Sequence, residues 1–195
     1  MHKLLLSATA ILMLQSLGHA GPSCEFTSTG SETSLESGVL FGLSNKNDYV
    51  IAPISAGLTI AKNSPRAIGS LELAREWRVY GFGLVLIQGP ENLMLGAMLG
   101  RRYELGNPES PFALVLDLRA GAGVIDSTDV EDAQGQDFAF PLAGLLGVEW
   151  RIAEDWSLTT GAIYTHISNG GLSEPERPNI GLDSVGTIIG VSHAF

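Results

Sequence analysis

Asp183-Ser184-Val185-Gly186-Thr187-Ile188-Ile189-Gly190-Val191-Ser192-His193-Ala194-Phe195 is the stretch that decides the fold. Side chains of an extended strand alternate between two faces. Val185, Thr187, Ile189, Val191, His193 and Phe195 therefore share one side. A soluble sandwich and a membrane barrel both produce such alternation, and periodicity alone does not separate them. What separates them is how this strand ends and where the charges fall on the strands before it.

An alternating final strand closed by an aromatic residue resembles the assembly signal of bacterial outer-membrane barrels. The earlier strands agree. Turn chemistry divides the chain into strand-like segments at 37–44, 49–62, 68–80, 93–105, 111–124, 138–152, 156–168 and 183–195, with a less regular stretch at 81–92 and a turn at 63–66. On the third segment Leu71, Leu73, Trp77 and Val79 oppose Glu72, Glu76 and Arg78. On the fifth, Phe112, Leu114, Leu116 and Leu118 oppose Asp117 and Arg119. On the sixth, Phe138, Phe140, Leu142, Leu146, Val148, Trp150 and Ile152 oppose Glu149 and Arg151. Acids and arginines thus share a face and can pair as ladders inside a barrel, while the apolar faces form a lipid-facing band. Trp77, Trp150 and Trp156 fall near segment ends, as an interfacial girdle requires. The expected architecture is all-β, an eight-stranded antiparallel transmembrane barrel whose interior side chains fill rather than leave a pore. Arg75 and Arg101 fit the inward parity poorly and are expected to lie near a membrane interface.

Residues 1–20 read as a secretory signal peptide. Lys3 supplies the positive start, a mostly apolar run follows, and Gly18-His19-Ala20 offers the small residues of a cleavage site. Residues 21–35, rich in Ser, Thr and Gly, read as a flexible lead, and 36–195 as the barrel. No later stretch is long and apolar enough for a membrane helix. The one cysteine, Cys24, lacks an internal disulfide partner and is read as a bystander. A net charge of −10 on 195 residues argues against nucleic acid as a partner, because a phosphate backbone demands a basic surface.

The chemistry concentrates in one hairpin. His166-Ile167-Ser168-Asn169 closes the seventh strand, and Asn179-Ile180-Gly181-Leu182-Asp183 opens the eighth. His166 and Ser168, two apart, project from one face, and a returning strand brings Asp183 beside them: a base, a hydroxyl nucleophile and an orienting acid. All three share parity with the apolar outer face, and a polar constellation facing lipid is costly unless it has a use.

The pattern His-x-Ser-Asn, a polar loop, Asn-x-Gly-x-Asp and a final strand ending in Phe resembles the lipid A 3-O-deacylases of the PagL family. The resemblance is strongest over 156–195. It implies an outer-membrane esterase that removes the 3-position 3-hydroxyacyl chain of lipid A, with Ser168 as nucleophile, His166 as base and Asp183 as acid. Asp183 is one methylene shorter than the Glu also found at this position in the family, so its bond to His166 depends on strand register. Asn169, Asn179 and Gly170 are candidates for stabilising the oxyanion or positioning substrate. Expected partners are lipid A of lipopolysaccharide and outer-membrane lipids, and a homodimer is left open. No cofactor is implied, and no metal cluster: His166 and His193 lie far apart along the barrel, and His2 and His19 fall in the signal peptide. With both termini in the periplasm, the site lies level with the outer leaflet. Two other functions remain open, a phospholipase-like barrel sharing the triad and a structural or adhesive barrel with a decorated rim.

Overall fold

The computed structural model describes residues 31–43, 48–128, 130–177 and 179–195. The signal peptide and most of the proposed N-terminal lead lie outside the described residues. Eight strands follow in order: β1 Glu32–Leu43, β2 Val50–Ile68, β3 Leu71–Gln88, β4 Leu93–Gly106, β5 Phe112–Ile125, β6 Phe138–Arg151, β7 Trp156–Ser168 and β8 Leu182–Ala194. Each pairs antiparallel with its neighbours, and β1 pairs with β8, so the sheet closes into a barrel without edges. No described helix is long and apolar enough to cross a membrane.

Three local departures from the sequence reading have physical causes. β1 begins at Glu32, inside the segment read as flexible, because its residues pair with β8 from Ala194 upward. β2 runs through the presumed turn at 63–66; the register shifts between Asn63 and Arg66, so a bulge absorbs Pro65 without ending the strand. β3 continues through 81–88, since Gly81 and Gly83 fall on outward positions and leave inward Phe82, Leu84 and Leu86 in alternation.

The outer surface is apolar. Leu35, Ile54, Leu95, Leu114, Leu146 and Ile189 are all more than half exposed, as lipid contact demands. The interior has two layers. Towards one end, Leu40, Ile51, Phe82, Met94, Ile125, Leu145, Ile163, Ile167, Leu182 and Ile188 form an apolar core. Towards the other, buried ions pair. Arg78 reaches Glu32 and Glu76, each at 2.5 Å, and Arg102 reaches Glu149 at 2.5 Å and Glu104 at 2.6 Å. Arg119 reaches Glu36 at 2.6 Å and Asp117 at 3.0 Å, and its guanidinium lies 4.0 Å from the Tyr80 ring centroid. Glu76, Arg78, Asp117, Arg119 and Glu149 therefore point inward as expected. Glu72 and Arg151 do not join them. Both keep the inward parity but sit exposed near strand ends, where the interior opens to water.

Removing one partner of such a network strands a buried charge. Arg119→Met should therefore destabilise the barrel by about 3–5 kcal/mol, read as a lower urea midpoint of the heat-modifiable gel mobility. An unchanged midpoint would show that the ladder is not structural.

Turn lengths orient the barrel. The connections at one end, 69–70, 107–111 and 152–155, are all short, whereas the other end carries 44–49, 89–92 and the two long ones, 126–137 and 169–181. Membrane barrels keep short turns in the periplasm and long loops outside. Both described chain ends lie at the short-turn end. β7 rises outward and β8 descends.

Candidate active site

The end of β7 and the start of β8 meet in direct register, with His166 opposite Asp183. Directly opposed residues on one face bring their Cβ atoms to about 4.5–5.5 Å, near enough for the shorter acid to reach the imidazole. His166 Nδ1 and Asp183 Oδ1 are 2.7 Å apart. Both side chains face outward and are partly exposed, at 34% and 40%. An Nδ1–H given to the carboxylate leaves the Nε2 lone pair free to take a proton.

The same carboxylate oxygen accepts a second bond. Tyr164, two residues before His166 on the same outward face, donates its hydroxyl to Asp183 Oδ1 at 2.6 Å. Gly181 closes the other side: a Cβ there would stand 3.3 Å from His166 Cε1, so only glycine leaves the ring untouched.

Ser168 sits one step beyond His166 on that face, and its Oγ accepts two hydrogen bonds. Asn179 Nδ2 donates at 3.0 Å and the Gly170 amide at 3.1 Å. It makes no hydrogen bond to His166, so base and hydroxyl are neighbours but not joined. The amide of Gly170 reaches back because Gly170 and Gly171 take φ of 68° and 80°, a left-handed turn suited to glycine.

Asn169 behaves differently from Asn179. It is fully buried, its Nδ2 donates to the Gln134 carbonyl at 2.5 Å and to Ser173 Oγ at 2.7 Å, and its Oδ1 accepts from the Gly171 amide at 2.8 Å. Its side chain is spent inside the loop and not aimed at Ser168. Gln134 Nε2 in turn donates to the Ile180 carbonyl. The 126–137 loop thus braces the 169–181 loop from behind. Its own start is pinned by Asp137, whose carboxylate accepts from the amides of Thr128 and Ser127. Hydrogen bonds, from Thr128 first, hold that carboxyl below the ordinary aspartate range. Sequence reasoning passed over both Tyr164 and Gln134. Parity could have found Tyr164; nothing local marks Gln134.

Among the described residues no group of His, Cys, Asp and Glu side chains could hold a metal ion. The arrangement can accept a proton at His166, orient that imidazole through Asp183, and present a hydroxyl flanked by two N–H donors to lipid.

The family model described as "Lipid A 3-O-deacylase (PagL)" matches residues 74–192. A solved structure described as the outer membrane enzyme PagL aligns with a TM-score of 0.57 at 15% identity, covering 82% of this chain and 97% of that one. Neisserial surface protein A aligns with a TM-score of 0.48 at 17% identity, covering 85% and 97%. No curated protein sequence matches the chain.

Proposed function

Since the chain belongs to the PagL family of lipid A 3-O-deacylases and is a multi-pass outer-membrane β-barrel, we propose that it is an esterase hydrolysing the 3-position 3-hydroxyacyl ester of lipid A. The observation that carries this reading is the bonded His166–Asp183 pair on the lipid-facing surface, at the outer end of the barrel, with Ser168 beside it.

The reaction needs one rearrangement. The Ser168 hydroxyl turns its proton towards His166 Nε2 when lipid fills the site; catalytic hydrogen bonds in unliganded enzymes commonly tighten only in the complex. Ser168 Oγ then attacks the ester carbonyl, and its proton passes to His166. Asp183 stabilises the resulting imidazolium. Asn179 Nδ2 and the Gly170 amide donate to Oγ at 3.0 and 3.1 Å and, with a small shift, reach the charge that develops on the adjoining carbonyl oxygen. His166 returns its proton to the leaving sugar hydroxyl, and water releases the 3-hydroxy fatty acid by the same steps in reverse order. The filled interior offers no route to the site, so substrate arrives laterally from the outer leaflet and its other acyl chains stay in the bilayer.

Tyr164 is assigned a positioning role. It touches neither Ser168 nor the reacting atoms, but its bond fixes the Asp183 oxygen that His166 uses. Tyr164→Phe should lower kcat about tenfold, on the order of one lost hydrogen bond to a charged group, with KM little changed. An unaltered kcat would make Tyr164 a lipid-contact residue only.

Lipids extracted after expression test the function as a whole. Loss of one acyl chain from lipid A supports the proposal; lysophospholipid would mean a phospholipase on the same site. Unchanged lipids would point to a structural or adhesive barrel.

A further inference from the structure

Arg75 and Arg101 oppose the rule that every buried cation of this barrel turns inward to a carboxylate. Both face outward. Arg75 pairs across the sheet with Asn63 and Tyr103, and Arg101 with Trp77. Arg66, whose partner Leu73 is on the same outward parity, adds a third guanidinium to this face of β2–β4. The patch lies in the half of the barrel nearer the short turns, away from the candidate active site.

The local chemistry is built for an anion. The Arg101 guanidinium stacks 4.9 Å from the Trp77 ring centroid and 5.8 Å from that of Tyr103. Its Nη2 donates to Asn63 Oδ1 at 2.5 Å, which orients the group without neutralising it. Arg75 Nε and Arg101 Nη1 are buried and have no hydrogen-bond partner. No carboxylate on the outward face of β2–β4 balances them among the described residues, whereas Arg78, Arg102 and Arg119 are all ion-paired inside. A guanidinium against hydrocarbon is strongly disfavoured unless it finds a counter-charge or reaches the interface. Above the patch, Val79 and Leu99 continue the apolar band.

We propose that this face binds the phosphate of an inner-leaflet glycerophospholipid, with preference for a net anionic headgroup. The outward guanidinium groups of Arg66, Arg75 and Arg101, met by no carboxylate on this face among the described residues, supply donors for phosphate oxygens. Trp77 and Tyr103 form the amphipathic platform suited to headgroup depth. Three uncompensated positive charges favour a headgroup that carries no ammonium of its own. An anchored lipid here would fix the barrel's depth and rotation beneath a site that must meet the outer leaflet at the right height.

The test is native mass spectrometry of the folded barrel in detergent, offered equal amounts of phosphatidylglycerol and phosphatidylcholine of matched chains. Wild type should retain phosphatidylglycerol about tenfold better, and added salt should erode the preference. Each arginine removed should weaken retention about fivefold, so R75Q/R101Q should lose nearly all of the preference while R177Q, in an outer loop, keeps it. Equal retention of the two lipids by wild type would overturn the proposal, and that arm does not depend on any variant folding. Undiminished phosphatidylglycerol binding by folded R75Q/R101Q would overturn it too. So would a dimer that falls apart in R75Q/R101Q with lipid retention unchanged, because the face would then be a contact between two copies of the chain.

Discussion

Asp183→Asn is expected to lower ester turnover by about 10⁴-fold, the scale on which an orienting acid matters in a Ser-His-acid site, while leaving the barrel folded. Asp183 Oδ1 is held by two donors, His166 Nδ1 and the Tyr164 hydroxyl. Asparagine keeps a similar shape but loses the charge that stabilises the imidazolium. Its amide can also present N–H to Nδ1, which stabilises the wrong tautomer. Because Asp183 is partly exposed on a lipid-facing strand and takes no part in the interior ion pairs, the substitution should leave folding intact. Asp183→Glu should retain measurable turnover, since orientation and charge survive an added methylene. Initial rates of fatty-acid release from lipopolysaccharide would check both variants. Equal rates for wild type and Asp183→Asn would move the acid role to another carboxylate, with Glu174 or Glu176 in the adjoining loop the first to try.

Ser168→Ala is the second large effect. It should abolish release of 3-hydroxy fatty acid and leave insertion and heat-modifiable mobility as in wild type. The hydroxyl accepts from Asn179 and from Gly170, both in the braced 169–181 loop. Losing those two bonds loosens the loop slightly, yet Asn169, Gln134 and Ser173 continue to hold it from within. Ser168→Cys should keep some activity, because a thiol beside His166 is also a competent nucleophile. Full activity in folded Ser168→Ala would remove Ser168 from the chemistry.

Most of the fold was legible because one physical signal ran through β3, β5 and β6. Glu149 and Arg151 against Val148 and Trp150, or Asp117 and Arg119 against Leu116 and Leu118, announce a polar interior and an apolar exterior. The signal failed where its contrast vanished. At 81–88 the outward positions include two glycines, and at 63–66 Pro65 looks like a turn until a bulge accommodates it. Parity also says which way a side chain points but not whether the barrel still encloses it, which is why Glu72 and Arg151 ended exposed. In the site, parity alone placed His166, Ser168 and Asp183 on one face, and direct pairing supplied the register that an aspartate requires. The separate fates of two asparagines were not legible. Asn169 turns inward and Asn179 reaches Ser168 because of a left-handed Gly170-Gly171 turn and a bracing loop remote in sequence. Such long-range loop contacts leave no local pattern.

The most direct test of the central claim is mass spectrometry of lipid A after lipopolysaccharide is incubated in detergent with purified wild type or with Ser168→Ala. The account predicts that wild type removes one 3-hydroxyacyl chain, with the free acid recovered, and that Ser168→Ala leaves lipid A intact. Equal trimming by both proteins, or no trimming by folded wild type, would contradict it.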